Sequence, residues 1–368
     1  MRYQLMNKDQ VVGVYEEKYE LDEYTYVPVE CKEGSYFPYA FSTIDEWIDG
    51  RQIAKHRNSI QALMRQLGLD DRHNFIGMVR CLSLTDTFWM KPEDENLTWN
   101  DVSLYRNPFD DIVARIAFDG TGMFGRQNSP TSPEFATSGS FAKCWVRDGN
   151  QISMLKRGSE GAANAGFEPY SEVFATQVLE AAGVEHVPYS VVQYHGKLAS
   201  KCPLFTNEDE GFVAAYRMLD GRVTTSSMLN FTREHGCEEQ FREMVVMDAI
   251  MLNTDRHTGN YGFLVDNDTG EVKGMAPLFD HNLACLPAMM ETDDLEEYIS
   301  FAAGPKIGRT FESIARELMT SDIRAKLVSL RDFEYENPGQ GCPQWRVDML
   351  NTVKERQISA ILGSSVIR

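Results

Sequence analysis

No apolar run in the 368-residue sequence approaches the roughly 20 residues that a membrane-spanning helix needs, so the chain reads as soluble. Paired cysteines are also missing. Cys31, Cys81, Cys144, Cys202, Cys237, Cys285 and Cys342 stand singly, odd in number and without a C-x-x-C spacing. That pattern argues against a disulfide framework and against structural zinc, and it suits reduced thiols in a cytoplasm. The opening MRYQLMNKDQ lacks the apolar core of a signal peptide, so nothing suggests export by that route. Positive charge is scarce: 36 Lys and Arg stand against 55 Asp and Glu, for a net charge of −19. So negative a surface repels phosphate backbones and anionic lipid, so neither nucleic acid nor membrane is expected as a direct partner. Any phosphate chemistry here needs a local cluster of cations or a metal.

What is present is a globular pattern without repeats or low-complexity tracts, long enough for two compact units or one large bilobal one. Residues 1–30 alternate charge and aromatics and suggest a strand or two. Ile60, Leu63, Met64 and Leu67 set a helical period within 44–67, and 108–117 reads as a further short helix. The stretch GTGMFGRQNSPTSPEFATSGS is the strongest linker signal and sets a border near residue 120. Beyond it, FAKCWVRDGNQISMLKRG reads as a hairpin turning at Asp148-Gly149. A helix follows over about 170–182, with Gly183 at the position after its C-cap. VPYSVVQYHGKLASKCPLF is a second hairpin turning at Gly196, and the chain onward to about 253 reads as helical. Met244–Leu252 is apolar on every face but one, where Asp248 stands. GFLVDNDTGEVKGMAPLF gives two short strands, and the last 80 or so residues are helical. Strands first and helices later make an α+β plan.

The densest polar cluster is NTDRHTGNYGFLVDNDTGEVKGMAPLFDHN. Asp255 directly follows the buried helix, Asn260 comes five residues later, and Asp280 ends the apolar run MAPLF. This arrangement suits phosphoryl transfer: one carboxylate orients an attacking hydroxyl, while an amide and a second carboxylate hold Mg²⁺ on the phosphates. Asp, Asn, Gly and Thr are equally the residues of polar turns. Against a mere turn stands the placement, because a buried helix running straight into Asp-Arg-His is an odd way to build a surface loop. Asp266 and Asp268 lack the rest of an EF-hand spacing and read as a hairpin turn.

Asp255-Arg256-His257-Thr258-Gly259-Asn260 resembles the D-R-H-x-x-N catalytic loop shared by HipA-like protein kinases and phosphatidylinositol 3- and 4-kinases. Pro277-Leu278-Phe279-Asp280 is similar to the metal-binding segment that follows in the HipA-like group. The resemblance covers about 130–290 by motif and extends to 368 by helical character. It implies an α+β, bilobal, protein-kinase-like fold, with a strand-rich N-lobe and a mostly helical C-lobe. It implies ATP and Mg²⁺ as cofactors, Asp255 as catalytic base, and Asn260 and Asp280 as metal ligands. Asp248 is expected to brace the loop by pairing with Arg256. His257 orients the loop or approaches the γ-phosphate, with a purely structural role as the equal alternative.

A kinase needs further parts, and the sequence has residues in the right order for them. Lys156, closing the strand ISMLK, is the candidate for the α/β-phosphates, and Glu172, opening the next helix, is the candidate to hold it. The bland readings are a strand-edge charge and a residue favouring a helix N-terminus. Small residues in 137–143 suit a phosphate-covering loop, with Ser138, Gly139 and Ser140 supplying backbone N–H groups and Lys143 supplying charge. A flexible linker end is the alternative. In the HipA-like group this loop carries an autophosphorylated serine, for which Ser138 or Ser140 would be the counterpart. Lys201–Thr206, including Phe205, looks like the hinge whose backbone meets adenine.

The expected organisation is an N-terminal subdomain of unassigned role over 1–120, an N-lobe with the phosphate loop over 121–205, and a helical C-lobe over 206–368. Trp89 and Trp99 are expected to pack against the kinase core, with a peptide-binding surface as the alternative. The expected activity is phosphorylation of Ser or Thr hydroxyls on a protein substrate, of toxin type, with a small antitoxin-like partner. One rival is a phosphoinositide-type lipid kinase, which the acidic balance disfavours. The other is a non-catalytic toxin-like module that docks a DNA-binding antitoxin.

Overall fold

The computed structural model describes residues 1–38, 41–52, 58–120, 132–137, 139–219 and 221–363. The chain divides into two compact units. One takes Met1–Lys156, Leu204–Val213 and Leu264–Lys273; the other takes Arg157–Pro203, Ala214–Phe263 and Gly274–Arg368.

The first unit opens with β1 (Arg2–Asn7), β2 (Gln10–Glu20) and β3 (Glu23–Cys31), three strands where the sequence suggested one or two. Glu20 pairs with Glu23 across a turn in which Leu21 and Asp22 both take positive φ, the geometry a two-residue hairpin requires. Helices α1 (Ile44–Arg51), α2 (Asn58–Gln66) and α3 (Arg72–Val79) precede β4 (Phe88–Pro92), which completes an antiparallel sheet of order β3-β2-β1-β4. Thr43 and Asp71 cap α1 and α3 by accepting from the amides three residues on. A short α4 (Trp99–Val102) follows. Next comes α5 (Asp111–Asp119), capped by the Asp110 carboxylate and ended by Gly120 in the left-handed conformation.

Trp89 and Trp99 are buried with Met6, Leu82, Leu84, Val102, Leu104 and Ile152, so they are core residues and not a peptide-binding surface. Ile152 belongs to the hairpin of β5 (Lys143–Asp148) and β6 (Gln151–Arg157), which turns at Gly149 as expected. The expected linker is not one at Pro133–Ala136. Residues 121–131 and 138 lie outside the described residues, but Pro133–Ala136 is a buried 3₁₀ turn. Its Glu134 carboxylate is fully buried and accepts from the Trp145 N–H at 2.8 Å. Composition reads Ser, Thr and Pro as linker; here a tertiary hydrogen bond recruits them to the core.

The second unit begins with α6 (Glu168–Ala181), which ends at Ala182 with Gly183 at positive φ, as read from the sequence. The hairpin of β7 (Ser190–Tyr194) and β8 (Lys197–Pro203) turns at His195-Gly196, both at positive φ. The stretch after it is not wholly helical as expected: β9 (Glu210–Ala214) is a strand. Then come α7 (Thr225–Glu234) and α8 (Glu238–Met251), whose residues from Glu243 to Met251 are all buried. Strands β10 (Gly262–Asp266) and β11 (Val272–Met275) form a hairpin, and β9 joins it in a three-stranded sheet of order β11-β10-β9, of which residues 210–213 and 264–273 belong to the first unit. Helices α9 (Leu295–Phe301), α10 (Phe311–Glu317), α11 (Ser321–Ser329) and α12 (Gln344–Leu362) complete the unit. Its core gathers Phe241, Met244, Val246, Ile250, Ile314, Ile323, Leu327 and Ile358. Six of the seven cysteines are buried and Cys31 is exposed. Among the described residues, no helix is long and apolar enough to cross a membrane.

Candidate active site

The buried helix α8 ends abruptly, because Leu252 takes a left-handed conformation and its N–H returns to the Asp248 carbonyl. The next residues are then held by side chains. Asn253, 1% exposed, donates from Nδ2 to Asp248 Oδ1 at 2.8 Å and accepts the Asp255 N–H at 3.1 Å. Arg256 turns inward. Its Nε and one terminal nitrogen meet the two Asp248 oxygens at 2.8 and 3.1 Å, the paired contact expected from the sequence. The other terminal nitrogen donates to the Asn260 carbonyl at 2.6 Å and to the Phe279 carbonyl at 2.7 Å. A single guanidinium, 2% exposed, therefore ties α8, the loop at 255–260 and the residue before Asp280 together. Burial works against the Arg256 charge, yet the Asp248 carboxylate outweighs it and holds the guanidinium pKa above its ordinary value.

Within this frame, Asn260 donates from Nδ2 to the Asp255 carbonyl at 3.0 Å. That bond assigns the amide orientation and makes Oδ1 the end that can accept or bind a cation. His257 is exposed and its Nδ1 accepts the Gly259 N–H at 3.0 Å, so the ring caps its own loop. Asp280 sits at φ 57°, a left-handed conformation that Asp tolerates better than most residues. Its N–H lies 3.4 Å from the Tyr189 hydroxyl oxygen, while the next amide, His281, donates to Glu172 Oε2 at 2.8 Å. Burial, then Cys202, Glu172 and Asp280, keep the Tyr189 hydroxyl well above its ordinary pKa.

Glu172 is fully buried and lies in the second turn of α6 rather than at its start. The sequence does not reveal its bond to His281 or the presence of Tyr189; neither has a local signal, since each partner is about ninety residues or more away. Asn260 and Asp280 offer hard oxygens, the donors Mg²⁺ accepts, and one Arg256 nitrogen holds both the Asn260 carbonyl and the Phe279 carbonyl next to Asp280.

The remaining expected residues lie in the first unit. Lys143 and Lys156 are register partners across β5 and β6, and both are buried. Gly139 takes φ 93°, and a Cβ there would collide with the Lys143 ammonium. The positive φ favours glycine here, and the missing side chain leaves room for the lysine end. Lys156 stands 5.6 Å from the centroid of the Phe141 ring. Ser140 is exposed beside Gly139, and Ser138 lies outside the described residues. Phe205 packs edge-on against Phe212 at 5.6 Å, and the Leu204 N–H donates to the Ile152 carbonyl at 2.9 Å.

No protein-family model and no curated protein sequence matches the chain. Solved structures do. HipA of Shewanella oneidensis MR-1, in a toxin–antitoxin complex with HipB and operator DNA, is similar over 98% of this chain and 97% of its own, with a TM-score of 0.56 at 12% identity. A Helicobacter pylori proinflammatory kinase, CtkA, matches 60% of this chain and 91% of its own, with a TM-score of 0.46 at 16% identity. The likeness to HipA spans both units from end to end, and the chain has a HipA-like kinase fold.

Proposed function

We propose that the protein is an ATP- and Mg²⁺-dependent kinase of the HipA-like type that phosphorylates Ser or Thr hydroxyls on a protein. The observation that carries this reading is the Arg256 contact set: paired with Asp248, this buried guanidinium holds the carbonyls of Asn260, which ends the loop that Asp255 begins, and of Phe279, the residue before Asp280. Spending a buried ion pair on a loop is costly unless the loop's geometry matters.

In this reading the Asp255 carboxylate orients the acceptor hydroxyl and takes its proton. The hydroxyl oxygen forms the new bond to the γ-phosphorus as the bond to the β,γ-bridging oxygen breaks, and ADP departs with that electron pair. Asn260 Oδ1 and the Asp280 carboxylate would hold Mg²⁺, which would supply positive charge against the phosphates. Lys143 and Lys156 meet the nucleotide phosphates. Gly139 and Ser140 cover the phosphates, Phe205 and its neighbours contact adenine, and Glu172 holds the position next to Asp280. The Gly259 N–H bound to its ring gives His257 a loop-shaping role. Autophosphorylation at Ser138 or Ser140 belongs to the same proposal.

The HipA structure contains HipB and operator DNA, so a small antitoxin-like protein is the partner class we propose. Contact with DNA would run through that partner, because a net charge of −19 repels the phosphate backbone. A cytoplasmic location suits the seven singly spaced cysteines.

Calorimetric titration with ATP, with and without Mg²⁺, tests the site. Binding should require Mg²⁺, and Asn260→Ala and Asp280→Ala should each abolish the metal dependence. Equal affinity for ATP in excess chelator would refute the assignment of these two residues.

A further inference from the structure

The N-terminal third carries no kinase motif, yet the chain returns to it twice, at Leu204–Val213 and at Leu264–Lys273. Both returns meet at Asn267. This residue is 1% exposed, and its Nδ2 donates to the carbonyls of Asn207 at 3.0 Å and Glu208 at 3.3 Å. Its N–H donates to the Asp209 carbonyl at 2.9 Å. Its carbonyl in turn accepts from Asn7 Nδ2 at 2.6 Å, and the Asn7 amide oxygen accepts from the Thr87 hydroxyl. Asn7 and Thr87 are buried and come from β1 and the position just before β4.

The amide orientation is unambiguous, since two carbonyls demand the nitrogen end. As a result Asn267 Oδ1 is buried without a hydrogen-bond partner among the described residues. An unsatisfied buried acceptor is disfavoured, so the side chain is retained for its donors. Gly211 makes room for it, because a Cβ there would strike Oδ1 and stand 2.8 Å from the Thr85 carbonyl. The same segment is fastened on either side. Thr206 donates to the Leu84 carbonyl, and the Phe212 N–H donates to the Thr85 carbonyl at 2.7 Å.

We infer that Asn267 is a positioning residue for the nucleotide: braced by Asn7 and Thr87, it fixes the backbone that follows the adenine-contacting segment 203–206. The inference rests on the kinase reading above. It gives the N-terminal sheet a role, that of a rigid backing for adenine recognition. It also predicts a selective defect, because the base is read by this segment while the phosphates are read elsewhere.

The test compares ATP and GTP affinity, in Mg²⁺, for wild type, Asn267→Ala, Asn7→Ala and the exposed ion-pair control Lys8→Ala. Wild type should prefer ATP. Asn267→Ala should bind ATP about tenfold more weakly with GTP little changed, and Lys8→Ala should match wild type. Should Asn267→Ala lack a cooperative melt, Asn7→Ala, which removes only the brace, reads the same ratio with a smaller shift. An unchanged ATP-to-GTP ratio in the folded variants, or a wild type without base preference, overturns the inference. A wild type that binds no nucleotide overturns the kinase reading itself, which separates the two failures.

Discussion

Arg256→Ala is expected to destabilise the second unit by about 3–5 kcal/mol, the cost of stripping one partner from a buried ion pair. The magnitude follows from what is left behind. Asp248, 5% exposed, keeps one Asn253 contact but loses both guanidinium bonds, and the carbonyls of Asn260 and Phe279 lose a shared donor. For a unit of this size the loss corresponds to a fall in melting temperature of roughly 6–20 °C. Arg256→Lys retains charge but cannot reproduce the planar fork, so it should fall between wild type and Ala. The informative comparison is the double variant Asp248→Leu/Arg256→Met, which replaces the pair by apolar side chains. Its stability should recover by at least half of the single-variant loss, because no buried charge remains. Phosphotransfer should not recover, because nothing then fixes the loop to residue 279. Scanning calorimetry and a label-transfer assay on the same samples read both quantities. A single-variant loss below about 1 kcal/mol, the range of an exposed pair, would refute the claim that this guanidinium organises the loop.

Gly211→Ala should cost about 1–3 kcal/mol through the collision with Asn267 and the Thr85 carbonyl, and a wild-type melting curve would contradict that packing. Burial raises the pKa of Glu208, but donation from Arg106 at 2.9 Å and from the Trp99 indole outweighs it and leaves the carboxyl below its ordinary range. Its stabilising contribution is therefore present above the unfolded value of about 4.3 and is lost as pH falls through the lower folded value. Glu208→Gln should accordingly melt lower than wild type at pH 7, with the gap closing below about pH 4.3; a gap that widens in acid would reverse the sign. Asp280→Gly relieves the left-handed backbone but removes the carboxylate, so it should still melt cooperatively while abolishing transfer; transfer at the wild-type rate would contradict the metal assignment.

Local chemistry made much of this fold legible in the sequence. The hairpin at Asp148-Gly149, the stop at Gly183 and the burial of Met244–Leu252 each follow from residues within a few positions. The pairing of Asp248 with Arg256 was legible for the same reason: eight residues separate a lone charge on a buried helix from the loop it meets. What escaped depends on distant partners. Strand β9 has little local pattern, and its neighbour β10 is about fifty residues away. Glu134 sits in a stretch whose composition says linker, and only the Trp145 amide explains its burial. Glu172 shows its helix in the sequence, but not the His281 amide that it accepts. Asn267 reads as a turn residue, and its three-segment role exists only once the chain is folded.

In the proposed kinase, phosphoryl transfer depends on Asp255. Incubating the purified chain with γ-labelled ATP and Mg²⁺, beside Asp255→Ala, tests it most directly. Label should pass from ATP to hydroxyls of the protein itself or of an added protein. The variant should bind ATP with wild-type affinity yet transfer at least about a hundredfold more slowly. Transfer at the wild-type rate by Asp255→Ala, or ATP bound by the wild type without any transfer to protein, would contradict the account.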